Sequence, residues 1–107
     1  MGEGYYWERY GQFDGLTRLD TIELDNEAYS FNLLGLWKGE DGYYLATDSG
    51  CSCPTPWEST TREELTGPLT ANDATEEATS LIEGARGRKY TGGPYEGDVD
   101  EFLSLIV

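Results

Sequence analysis

Between Tyr29 and Trp37, apolar side chains occupy both parities of an extended run, and this constrains the fold more than any other feature. In a strand, successive side chains point to opposite faces. Tyr29, Phe31, Leu33 and Trp37 share one parity, and Leu34 and Leu36 take the other. The second half of this strand is therefore expected to be covered on both faces. Lys38-Gly-Glu-Asp-Gly42 is polar and bounded by glycine, and Tyr43–Thr47 returns as the partner strand. A five-residue loop with two glycines suits a hairpin. The core is expected to be built on this hairpin, residues 29–47, with Phe31, Leu33, Leu34, Leu36, Trp37 and Leu45 buried.

The rest of the chain divides into strands first and helices second. Residues 5–10 are rich in aromatic residues and read as a short strand, followed by a loop from Gly11 to Gly15. Leu19–Leu24 alternates, with Ile22 and Leu24 on one face, as in a half-buried strand. Thr60–Thr66 carries a helix start, a Thr-x-x-Glu box from Thr60 to Glu63, and Gly67-Pro68 should stop it. Thr70 can cap a longer helix over 71–84. On it Ala71, Ala74, Ala78, Leu81, Ile82 and Ala85 form one stripe, with Asp73, Glu76, Glu77 and Glu83 opposite. Gly84 and Gly87 can end it. Residues 86–97 hold the basic cluster Arg86, Arg88 and Lys89 and then Gly92-Gly-Pro94, which reads as a mobile loop. Asp98 and Glu101 open a last segment. Val99, Phe102, Leu103 and Ile106 would make it a helix, and a terminal strand over 102–107 is the alternative. The expected class is α+β. An antiparallel sheet of three to four strands, from the N-terminal half, would pack with two to three helices from the C-terminal half. At 107 residues this is one acidic domain, 1–107.

Twenty-one acids against seven bases give a formal charge of −14. That argues against direct nucleic-acid binding, because phosphate contacts need Lys and Arg, and against anionic membrane surfaces. It favours basic partners, or else simply keeps the protein dispersed. Three Trp, eight Tyr and three Phe are more aromatic residues than a disordered acidic chain carries, so the chain should fold. No apolar run reaches a membrane span of about 20 residues. The start, Met1-Gly-Glu-Gly-Tyr5, has neither the basic nor the apolar region of a secretory signal. Tyr6 stands where a myristoylation motif needs Ser or Thr. Two cysteines one residue apart make no disulfide framework. The cytoplasm is the expected compartment, and a monomer or homodimer the expected state.

Histidine is absent, which removes the commonest general base and metal ligand together. No phosphate-binding, dinucleotide or nucleophile-elbow motif occurs. Glu40-Asp41, Glu63-Glu64 and Glu76-Glu77 read as solvated pairs. The chain is therefore expected not to be an enzyme and to carry no cofactor. One segment looks specific: Asp48-Ser-Gly-Cys-Ser-Cys-Pro-Thr-Pro-Trp-Glu58. Gly50 permits a sharp exit from the strand, Pro54 and Pro56 stiffen the stretch beyond it, and Trp57 supplies a large apolar anchor. Asp48, Ser49, Cys51, Cys53, Trp57 and Glu58 are the candidate binding residues. Cys51 and Cys53 read first as reduced, metal-free residues of a packed loop. A zinc half-site and a redox pair are the other readings, the first needing further carboxylates and the second a strained ring. Glu63, Glu64, Asp73, Glu76, Glu77 and Glu83 are the candidate acidic face, with Asp98, Asp100 and Glu101 as possible additions.

Tyr44–Glu58, the aromatic segment Tyr6–Tyr10 and Glu63-Glu-Leu-Thr66 together resemble a family of small acidic actinobacteriophage proteins, over roughly residues 5–66. That resemblance implies a phage origin and the cytoplasm of an infected bacterium, and it brings no catalytic residues. Three functions compete. The first is a non-catalytic accessory protein that binds a host or phage protein, in the manner of host takeover. The second is a DNA mimic that blocks a nucleic-acid-binding protein. The third is a metal or redox module on the two cysteines.

Overall fold

The structure, a computed structural model, describes residues 12–24, 30–51, 57, 60–87 and 94–107. The strand expected over 5–10, Tyr29 and most of the expected loop over 86–97 lie outside them. Among the described residues four strands, β1 (Thr17–Glu23), β2 (Ser30–Gly39), β3 (Gly42–Cys51) and β4 (Thr66–Leu69), form an antiparallel meander in the order β1-β2-β3-β4. Two helices follow, α1 (Ala71–Arg86) and α2 (Glu96–Ser104). The class is α+β, as the order of patterns implies. No helix of the described residues is long and apolar enough to cross a membrane.

The double parity of β2 has its expected consequence. Leu34 and Leu36 join Ile22, Leu24, Tyr43 and Leu45 under the helices, where Ala74, Ala78, Ile82, Ala85, Val99 and Phe102 close a first cluster. Leu33 and Trp37 belong to a second cluster with Tyr44, Trp57 and Leu65, on which Phe13, Leu16, Phe31 and Ala46 pack. The middle strands are thus buried on both faces. Phe31 is the one expected core residue that differs: it is half-buried at the border of the second cluster. Its partner across the ladder is Gly50, which offers no side chain to cover it.

The hairpin turn is tighter than the glycines suggest. Gly39 pairs with Gly42, which leaves Glu40-Asp41 as a two-residue turn instead of a five-residue loop. Gly42 serves another purpose. Its φ is 147°, and a Cβ there would lie 2.6 Å from the Leu69 carbonyl oxygen, so glycine lets β4 approach β3.

The segment after Thr60 departs further from expectation. The reciprocal box sits one residue later: Thr61 N–H donates to Glu64 Oε1 at 2.8 Å, and only a 3-10 turn, Arg62–Glu64, forms. Leu65 is buried in the second cluster with extended backbone (ψ 139°), and this burial draws the chain out of the turn and onto the sheet. Thr66-Gly-Pro-Leu69 is consequently an edge strand with a cis Gly67–Pro68 bond, where a helix stop was expected. Proline is tolerated because an edge strand can spare its N–H.

Both helices form, with shifted ends. Thr70 Oγ1 accepts from Asp73 N–H at 3.1 Å, so the cap is as read, but α1 continues through Gly84 to Arg86 and closes on Gly87. Gly84 is exposed with no atom near its missing Cβ, so it does not break the helix. The buried stripe is Ala74, Ala78, Ile82 and Ala85, with Ala71 and Leu81 partly buried at its edges. The C-terminal segment is a helix starting at Glu96, two residues before Asp98, and not a strand. The loop between the helices is accordingly shorter than 86–97. Past α2 the Tyr43 hydroxyl donates to the Val107 carbonyl at 2.9 Å and accepts from its N–H at 3.0 Å.

Candidate functional site

Asp48 on β3 and Trp57 are joined by a charged contact. The Trp57 N–H donates to Asp48 Oδ2 at 2.6 Å, and the Trp57 carbonyl accepts from Thr60 N–H at 3.3 Å. The indole is 1% exposed and meets Trp37 edge-to-face, with centroids 5.2 Å apart and planes at 79°. Trp57 holds φ 69°, a left-handed conformation that bulky residues avoid. Burial of the ring and the Asp48 contact hold it there. Its Nε1 is buried with no hydrogen-bond partner among the described residues. Trp57 is thus the anchor that the sequence suggests. Ser49 is exposed on β3, and Cys51 ends that strand, paired with Ser30. Cys53 and Glu58 lie outside the described residues.

β4 pairs with β3 only through Tyr43 and Leu45, so it stops short of the second half of β3. A depression of about 560 Å³ opens at that point, lined by Leu45, Ala46, Thr47, Asp48, Thr60, Glu64, Thr66, Glu77 and Leu81. Leu81 supplies apolar surface, Leu45 and Ala46 border the depression from β3, and threonines and the carboxylates of Asp48, Glu64 and Glu77 supply the polar part. No base is among these lining residues. Such a site can accept hydrogen bonds and offset positive charge. It brings together three sequence candidates that the chain separates widely: Asp48, Glu64 and Glu77. The threonines were missed: the place of Thr66 depends on β4, which Gly67-Pro68 disguises, and no pattern along the chain marks Thr47 or Thr60.

Residues 5–101 match a domain of unknown function, DUF7574. The chain belongs to the DUF7574 family. No curated protein and no solved structure matches it. The match covers the second cluster, the first except Phe102 and Ile106, and every described wall of the depression, so the site is part of the DUF7574 domain itself.

The other candidate acids of this DUF7574 domain are exposed but dispersed. Glu63 lies in the 3-10 turn. The adjoining Leu65 packs on the sheet face opposite α1. Asp73 and Glu76 stand on the outer side of α1, and Glu76 accepts weakly from Asn72 Nδ2 at 3.5 Å. Glu83 bonds to Arg86, which also bridges to Glu96, with Nε donating to Glu96 Oε2 at 2.8 Å. The one described base of the expected basic cluster therefore links the two helices instead of standing apart as a positive patch.

A second group of acids shows an electrostatic cost. Asp20 sits on β1 beside α2, and its carboxyl is held above the usual carboxylate range. Burial disfavours the charged form, the Thr21 N–H opposes this by donating to Oδ1 at 2.8 Å, and Glu101 and Asp98 add repulsion. A carboxyl whose pKa is higher folded than unfolded subtracts stability above the folded pKa, and the penalty disappears as pH falls to the unfolded value near 3.8. Asp20→Asn keeps the acceptor oxygen and removes the charge. It should melt at a higher temperature than the parent at pH 7, with the gap narrowing as pH falls toward about 4. A pH-independent difference would mean that packing, not charge, is responsible.

Among the described residues no group of three Cys, Asp or Glu side chains is arranged to hold a metal ion. The expected state of Cys51 and Cys53, reduced and metal-free, has a direct check. Elemental analysis of protein purified without chelator should give well under one zinc per chain. Stoichiometric zinc that disappears on Cys51→Ser would establish the metal reading instead.

Proposed function

We propose that this DUF7574 domain is a non-catalytic accessory protein that binds a basic host or phage protein, acting in the cytoplasm of an infected bacterium. The observation that carries the reading is the outer face of α1. Asp73, Glu76, Glu77 and Glu83 are exposed there, and the base at the end of the helix, Arg86, is already bonded to Glu83 and Glu96. A chain of formal charge −14 steers basic partners toward such a face and repels nucleic acid. The absence of histidine, the commonest general base, favours binding over catalysis. The sequence resemblance to actinobacteriophage proteins supports the setting.

Immobilised protein incubated with actinobacterial lysate, and analysed by mass spectrometry, tests this. A stoichiometric basic protein should be retained, its affinity falling as salt rises. Retention of nothing above the level of a control column would defeat the proposal.

DNA mimicry is the second reading. Asp73, Glu76 and Glu77 are helical neighbours, whose side chains stand about 5–6 Å apart, comparable to phosphates along a strand. The paired Arg86, at the end of α1, counts against one continuous negative face. Mimicry requires that duplex DNA compete for the partner with a steep salt dependence. Salt-insensitive retention that DNA does not displace would exclude it.

A further inference from the structure

We infer that the depression between α1 and β3 is a docking notch for an arginine or lysine side chain of a partner protein, an inference that rests on the binding function proposed above. Its shape and chemistry match one occupant. A basic side chain has an apolar stem and a charged head, and the two parts need different surroundings. Leu81, half-buried on α1, offers the stem apolar surface, Leu45 and Ala46 border it from β3, and Asp48, Glu64 and Glu77 lie around it. Asp48 and Glu64 each already accept one backbone N–H, from Trp57 and Thr61, which fixes their carboxylates in place and leaves their remaining lone pairs for a guest. Glu77, on an exposed turn of α1, is the free arm. A guanidinium with five donors satisfies such a set better than any neutral group.

Four bases are described, Arg18, Lys38, Arg62 and Arg86, and each has an interaction of its own. Lys38 stands over the Tyr43 ring at 5.1 Å, Arg62 over the Tyr44 ring at 4.4 Å, and Arg86 is held by Glu83 and Glu96. None of the four lines the notch, so among the described residues no base answers its carboxylates. A small hydrophobic guest would leave three carboxylates unanswered, and an anion would be repelled.

The test uses an acetylated, amidated nona-arginine peptide as probe, titrated into isotopically labelled full-length protein at about 50 mM salt, where surface charges are only partly screened. Backbone amide signals of Thr47, Thr66, Glu77 and Leu81 should move most. Two variants with the fold intact probe the notch. Glu77→Gln removes the free arm, and Thr47→Lys places a lysine of the protein's own at the exposed entrance. Each should weaken binding about fivefold, the scale of a partly exposed ion pair. Asp100→Asn and Thr79→Lys make the same charge changes away from the notch and should weaken it less than about twofold on the same scale. Equal weakening by the two pairs, or shifts spread evenly over all acidic positions, would overturn the notch while leaving acidic binding in place. Failure of the parent protein to bind the peptide at all would overturn both.

Discussion

Trp37→Ala is expected to cost about 3–5 kcal/mol, the range for removing a buried large aromatic side chain. Total stability for a domain of this kind is about 5–15 kcal/mol, so the variant should be partly or wholly unfolded at about 37 °C. The size of the effect follows from position. Trp37 is fully buried, and its ring is met edge-to-face by Phe13 at 5.5 Å and by Trp57 at 5.2 Å. Aromatic pairs of this geometry add about 0.5–1.5 kcal/mol beyond the area they bury. Removing the ring therefore also frees Trp57, whose left-handed backbone is held partly by that packing. The site leaves little room for repair, because a Cβ on Gly35 would lie 2.7 Å from the Trp37 ring and 2.9 Å from Trp57. Urea unfolding followed by far-UV circular dichroism measures the loss. A drop below about 1 kcal/mol would mean that the second cluster is dispensable, contrary to its burial.

Phe102→Ala should cost a similar amount, about 3–5 kcal/mol, on the opposite face of the sheet. Phe102 is fully buried and is the largest side chain through which α2 reaches the first cluster. A nine-residue helix has little stability of its own, so its packing must hold it. The variant should lose α2 before it loses the sheet. Hydrogen exchange should show amides of residues 99–106 unprotected while those of β2 and β3 stay slow, a pattern of local opening. Uniform loss of protection across the sheet would show instead that the two clusters fold as one unit. Trp37→Ala provides the contrast, since it removes support from the central strands themselves.

How much of this was legible in the sequence depends on how local the cause was. The alternation through Phe31–Trp37 specified both covered faces of β2, because parity in a strand is geometry and needs no neighbour to define it. The alanine-rich stripe and the Thr70 cap specified α1 for the same reason. Element ends were less legible. Gly84 reads as a stop, yet α1 runs through it, since Ala85 beyond it is fully buried and repays the continuation. Gly67-Pro68 reads as a breaker, yet Leu65 and Leu69 pull that segment into the sheet. Of the candidate site, Asp48 could be singled out as a binding candidate and Trp57 as an anchor, but the hydrogen bond that joins them could not.

The sequence by itself determined the α+β class, the double burial of the central strand, the inner stripe of α1 and a formal charge of −14. Each of these is set by residue type at a fixed period or by a sum of charges. Only the tertiary structure decided that Thr66–Leu69 is a strand, that Trp57 adopts a left-handed backbone, and that Asp48, Glu64 and Glu77 surround one notch. These depend on contacts between segments far apart in the chain, where the gain from burying Leu65 and Trp57 outweighs local preference. No periodicity along the chain records a gain of that kind.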